Sequence, residues 1–161
     1  MGWTSRSEGI ACCPGALGPL RDVETVARLI VGKVDEPDFE PIRRSELFPN
    51  GADFSNICGD SDGLSVARNS ALSNEAVKIM SVAQANQRPG RNARGAIVAN
   101  VQDLRDVRIQ NLPLQLIFIY DDAKKSDTTH AVVRCLESID RPSQEQIRIE
   151  VRECFNVVIG M

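Results

Sequence analysis

The chain has 161 residues, 42% hydrophobic and 25% charged, which fits one ordinary globular domain and excludes a disordered or low-complexity chain. A formal net charge of −3 gives no global attraction to nucleic acid or to an anionic membrane surface. One Trp, one Tyr and five Phe leave few rings for a base-stacking platform, so neither nucleic acid nor membrane is expected as a partner.

Residues 1–20 are rich in Gly, Ser and Pro and close on Pro14-Gly15-Ala16-Leu17-Gly18-Pro19, which reads as an extended or flexible arm ahead of a single domain over residues 21–161. Within residues 22–33, Val23, Val26, Ala27 and Ile30 have helical spacing, although Leu29-Ile30-Val31 would suit a strand; helix is the expectation. Pro37, Pro41 and Pro49 punctuate a charged surface connection with room for one helical turn. Asn50-Gly51 and Asp60-Ser61-Asp62-Gly63 are turn signals, and residues 64–68 then read as a short strand. Ser73 is placed to cap a helix starting at Asn74, with Glu75 favourable in its first turn. Residues 86–95 break the pattern, residues 96–101 suit a strand, and residues 101–105 suit a single helical turn. Residues 114–120 are apolar on both faces and predict a central strand. A polar loop over residues 121–127 leads to a strand over residues 129–135, a gap short enough for a hairpin. Ser143 and Gln146 fit a capping box, whereas residues 147–152 alternate with period two; a helix over residues 143–155 is expected. The sum is an α+β fold: a single small sheet of about four strands with helices packed on it.

Five cysteines, at 12, 13, 58, 135 and 154, are odd in number and irregular in spacing, and no long apolar run opens the chain. They read as reduced thiols of a cytoplasmic protein. With one histidine and no paired Cys spacing, neither a metal nor a cofactor is expected. The longest apolar stretches, residues 112–120 and 157–159, fall short of the roughly 20 residues that span a bilayer.

His130 follows an acidic loop carrying Asp121, Asp122 and Asp127, and a histidine with a carboxylate partner can serve as a general base. Ser65 and Arg68 would join it in a polar cluster if their two strands are neighbours. Ser65 stands in an alternating strand rather than on the strained turn that exposes a serine nucleophile. The loop of Arg88, Gly90, Arg91, Arg94 and Gly95 has the guanidinium forks and backbone amides to cradle a phosphate, without the Gly-Lys-Ser ending of a P-loop. Asp60-Ser61-Asp62-Gly63 is no calcium loop, because Cys58 and Asn69 fall where the first and twelfth ligands would be.

As a set, Asp62-Gly63-Leu64-Ser65-Val66-Ala67-Arg68, the helix start near Ser73-Asn74-Glu75, Gly95 before a strand, Leu104-Arg105 and His130-Ala131 resemble a loose family of small uncharacterised bacterial proteins with a Gly-Leu-Ser-Val-x-Arg core and a late His-Ala. The resemblance spans roughly residues 25–135 and implies a bacterial source but no catalytic role. Its members often read Asn-Pro-Ala-His-Ala where this chain has Asp127-Thr128-Thr129-His130-Ala131, so the loop shape is not carried over. The leading functional expectation is an accessory or interaction module acting with a protein partner. The alternative is a small enzyme acting on a phosphorylated or nucleotide substrate, with Arg88, Arg91 and Arg94 holding phosphate and His130, Ser65 and Arg68 at the chemistry.

Overall fold

The computed structural model describes residues 16–34, 40–49, 63–110, 112–124, 126–136 and 138–161. Cys12, Cys13, Cys58, the turn at Asn50-Gly51, Asp60 to Asp62 and most of the expected arm lie outside them.

The fold is α+β, built on one antiparallel sheet. Among the described residues its elements in chain order are β1 (Thr25–Lys33), α1 (Arg44–Leu47), β2 (Leu64–Ala67), α2 (Asn74–Ala85), β3 (Arg91–Asn100), α3 (Val101–Arg105), β4 (Ile117–Asp121), β5 (His130–Cys135), α4 (Arg141–Cys154) and β6 (Phe155–Ile159), with a 3-10 turn at Asn69–Ala71. The strands run β4-β5-β2-β1-β3-β6 across the sheet, six rather than about four.

The two additional strands have separate causes. β1 was expected as a helix, but it lies between β2 and β3 and needs apolar side chains on both faces. Val26 enters the main core and Ala27 the smaller one on the opposite face, and this two-sided demand imitates helical spacing. β6 leaves the end of α4 with no intervening loop and pairs with β3. Gly95 of β3 has φ +86, and a Cβ there would collide with the Ile159 carbonyl, so this approach of β6 requires glycine.

Other boundaries also shift. β3 begins at Arg91, so Arg91 and Arg94 stand on a strand and not in the expected loop. The 114–120 segment forms β4 at a sheet edge instead of the centre, yet Ile117, Ile119, Tyr120 and Asp121 are buried. α4 starts at Arg141, with Asp140 at the cap position and Pro142 in the first turn, so Ser143 lies inside the helix and does not cap it. Ile147 and Val151 face the core one turn apart while Ile149 is exposed, which accounts for the period-two pattern. Ser73 caps α2 as expected, its hydroxyl accepting from the Ala76 amide at 3.1 Å.

One face of the sheet packs Val26, Leu64, Val66, Ile119 and Val133 against Leu47, Leu104 and Ile147 of the other helices. The opposite face packs Ala27, Ala96 and Val98 against Val77 of α2. Strand alternation puts Ser65, Ala67 and His130 on the α2 side.

A buried ion pair ties the chain together at one end of the sheet. Arg68 and Glu24 are 3% and 6% exposed. The Arg68 guanidinium donates to both Glu24 carboxylate oxygens at 2.8–3.0 Å and to the Gly18 carbonyl at 2.6 Å, and the Asp121 carboxylate accepts from the Gly18 amide at 3.2 Å. The last residues of the expected arm are thereby fixed, and Leu20 enters the core.

Removing one member of such a pair strands the other charge in a dry site, so Arg68→Met alone and Glu24→Leu alone should each cost about 3–5 kcal/mol in urea unfolding. The double variant should recover only part of the Arg68→Met loss, because the buried Asp121 carboxylate, 4.0 Å from Arg68, still loses its cation. Single variants within about 1 kcal/mol of the parent would contradict this account.

Candidate functional site

β1 and β2 pair through one registered couple, Ala27 with Ala67, and then part. Arg28 fills the opening. Its Nη1 donates to the Ser65 carbonyl at 3.1 Å, its Nε to the Pro41 carbonyl at 3.1 Å, and its Nη2 to both Glu46 carboxylate oxygens at 3.0 Å. One side chain thus joins β1, β2 and α1 where a ladder hydrogen bond would otherwise be. Burial pulls the Arg28 pKa below its ordinary value, Glu46 opposes this, and Arg43 adds a smaller lowering. The group stays charged regardless.

A cleft of about 690 Å³ opens beside this bridge. Ser65 and His130 line it from the sheet, Met80 and Gln84 from α2, and Lys124 and Asp127 from the β4–β5 connection. The register places His130 opposite Ala67 and Ser65 opposite Val132. Ser65 and His130 are therefore diagonal neighbours on one face, roughly 7–8 Å apart at Cα by strand geometry.

Asp122 folds back onto the histidine. Its amide donates to the His130 carbonyl at 3.1 Å, and its own carbonyl lies 2.8 Å from His130 Nδ1. The Asp122 carboxylate is 3.1 Å from the same nitrogen. Both groups are acceptors, so Nδ1 must carry the proton. His130 is 7% exposed, and its Nε2 is buried with no hydrogen-bond partner among the described residues.

The connection leading to His130 is tightly turned. Lys124 and Asp127 exchange backbone hydrogen bonds at 2.8 and 3.1 Å, and the Asp127 carboxylate accepts from the Thr129 amide at 3.0 Å and its hydroxyl at 2.5 Å. This is side-chain turn chemistry of the kind Asp favours. It presents Lys124 towards the cleft wall.

A smaller cavity of about 250 Å³ adjoins the first, and the two share Arg28, Leu29, Glu46, Gln84 and Gln87. Arg43, Arg88 and Arg91 line only the smaller one. Arg88 is exposed on the turn after α2, and Arg91 is half-buried at the start of β3.

The structure thus brings Ser65 and His130 to one cleft and Arg88 and Arg91 to its extension. Arg68 lies elsewhere, engaged with Glu24. Arg94 also lies elsewhere, its guanidinium packed over Gly32 and donating to the Lys33 carbonyl at 2.6 Å. Arg28, Arg43, Glu46 and Lys124 escape a reading of the sequence. Arg28 sits in a segment with helical spacing, and Arg43 in a proline-punctuated connection whose spacing links it to nothing. Asp122 was visible only as one of three acids ahead of His130.

No group of three or more His, Cys, Asp or Glu side chains suited to a metal occurs among the described residues, and no helix among them is long and apolar enough to cross a membrane. No family model, curated protein or solved structure matches the chain.

The described cysteines stand apart from the cleft. Burial pushes the Cys135 thiol up to about 12, against a small opposing hydrogen bond. Burial, with Asp103, Glu150 and Glu153 nearby, pushes Cys154 up to about 11. Raised values mean little thiolate below those pH values. In native protein at pH 8, neither thiol should react with iodoacetamide on the timescale of free cysteine, and both should react after unfolding. Mass-spectrometric mapping checks this; rapid native labelling of Cys135 would contradict it.

Proposed function

We propose that this chain is a small enzyme acting on a phosphorylated or nucleotide substrate, with His130 as its acid–base group. His130 carries the reading: a buried ring with Nδ1 held by the Asp122 carbonyl and Nε2 without a partner among the described residues, in the lining of a cleft. A structural histidine ordinarily satisfies both nitrogens, because an unmet buried polar atom is costly. An acid–base histidine needs one nitrogen held and the other left for the substrate.

The remaining groups fit supporting roles. Ser65 sits on plain strand, so it suits substrate contact better than nucleophilic attack. Arg28 spends four of its five donors on protein acceptors and bridges the cleft's edge. Lys124 supplies a cation near the histidine, and the neighbouring arginines supply anion recognition.

A second reading, an accessory module docking a protein partner, draws on β6. This strand lies at a sheet edge, carries no charged residue, and leaves Val157 and Val158 55% and 70% exposed. A chain working only through that edge would be indifferent to His130.

The discriminating variant is His130→Asn, whose amide can keep donating to Asp122 while the Nε2 position is lost. Turnover across a panel of phosphomonoesters and nucleotides should fall by about 10²–10⁴-fold at an unchanged urea midpoint. Full turnover in His130→Asn, or a panel on which the parent chain turns over nothing, would count against the enzyme.

A further inference from the structure

We propose that β6 is the seam of a homodimer: its outer edge pairs antiparallel with β6 of a second copy of this chain, joining two sheets into one. The proposal stands apart from the enzymatic reading and gives the bare edge a definite occupant.

The two edges of the sheet differ. β4 is covered: Ile117, Ile119, Tyr120 and Asp121 are buried, and the Gln115 side chain donates to the Ile117 carbonyl at 2.9 Å. β6 is bare: Asn156, Val157 and Val158 are exposed, and among the described residues the strand pairs only with β3. Natural sheets guard such an edge with charge, proline or a bulge. β6 has neither charge nor proline, and its one irregularity, which leaves Asn156 unmatched on β3, lies near its start. Val157, Val158 and Ile159 then run in regular register, β-branched residues suited to a strand with neighbours on both sides. Val157 lies opposite Val98 and Val158 opposite Ile97, so the two exposed valines point to opposite faces and both faces of the edge are open.

The edge matches itself. With one edge open and the other covered, copies cannot stack head to tail through their sheets. What remains is the isologous contact, β6 on β6, which closes on two subunits. Charge sets its direction. Around the start of β6, Asp103, Asp106, Glu150 and Glu153 line one cavity with Asn156, against Arg108 alone. Arg108 donates to the Arg105 and Val107 carbonyls, and none of the four carboxylates is in an ion pair among the described residues. Burial raises the Cys154 thiol first, and Asp103, Glu150 and Glu153 raise it further, a sign of the negative potential they gather there. Beyond the other end of β6, β3 extends back to Arg91, which pairs with Lys33 of β1. Parallel self-pairing would set two acidic ends side by side, whereas antiparallel pairing sets each acidic end beside the partner's basic one.

On the α2 face, a cavity of about 260 Å³ along β6 is lined by Thr25, Asn69, Asn74, Asn100, Asn156 and apolar residues, with no charged side chain. A two-fold axis normal to the sheet brings the amide rims of two copies together. Amides both donate and accept, so like groups meet without repulsion. No β6 residue lines either cavity beside Arg28, so the pairing leaves the His130 cleft open. A ladder of one short strand is small beside the roughly 1,200–2,000 Å² of a stable interface, so monomer and dimer should exchange in the micromolar range.

Sedimentation equilibrium of the full chain from about 1 µM to about 1 mM should show a shift from one copy to two. Over the same range, amide hydrogen exchange should slow at the β6 residues whose N–H groups point away from β3, a measurement that needs no variant. Val157→Lys/Val158→Lys puts like charges along the seam and should weaken the dimer about tenfold or more at an unchanged urea midpoint. Ile79→Lys, at another exposed apolar position on α2, should leave the dimer intact. A chain that stays monomeric throughout overturns the proposal, as does a dimer that survives the valine double variant or is lost with Ile79→Lys. β6 amides already slow in the monomer would mean that the same chain covers the edge. Slowing that requires an added cell extract, with the pure chain monomeric, would give the edge to a foreign partner. Either result also sinks the self-pairing.

Discussion

β5 is hydrogen-bonded on both sides, and this double pairing fixes the geometry around His130. On one side the ladder sets His130 opposite Ala67 of β2, and on the other it sets Ala131 opposite Asp121, the last residue of β4. The chain leaving β4 therefore reaches Asp122 directly over the first residue of β5, where its amide bonds the His130 carbonyl. The Asp122 carbonyl then lies 2.8 Å from Nδ1, with its carboxylate 3.1 Å away. A slip of one residue would exchange the two faces of β5 and carry His130 into the main core that Ala131, Val133 and Cys135 now fill.

The cleft beside this histidine comes from an interruption of the sheet. Strands β1 and β2 make one registered pair and separate, and the half-buried Arg28 spans the gap. Arg28 on β1 and Arg68 just after β2 thus have distinct structural tasks. Arg68 spends its donors on Glu24 and Gly18 and locks the entry to the domain. Arg28 spends its donors on Pro41, Ser65 and Glu46 and props the opening. Arg43, Arg88 and Arg91 line the smaller cavity that adjoins this opening. His130 lines one of the two adjoining cavities and these arginines the other.

Much of the fold was legible in local signals. The Ser73 cap, the β4–β5 hairpin, β2 and the short α3 each follow from a few neighbouring residues, and all are present. The misread elements depend on distant partners. β1 imitates a helix because it is buried on both faces, a fact set by its neighbours in the sheet. β6 depends on Gly95, some 60 residues earlier, giving its backbone room. The same division holds for the site. His130 and its acidic loop are close in sequence and were paired on sight. The Arg28–Glu46 bridge and the arrival of Arg43 beside Arg88 and Arg91 join separate parts of the chain, and no spacing rule encodes them. Arg68 stood in a motif and near His130 by strand pairing, but its exposure to Glu24 and Gly18 could be known only from the fold.

The state of the histidine ring tests the central claim most directly. Long-range proton–nitrogen correlation spectra resolve both ring nitrogens, and the chain has a single histidine to assign. In the neutral ring the account requires the proton on Nδ1, donated to Asp122, with Nε2 bare and able to accept. The tautomer protonated on Nε2 instead would mean that Asp122 does not hold the ring, and the acid–base assignment would fall with it.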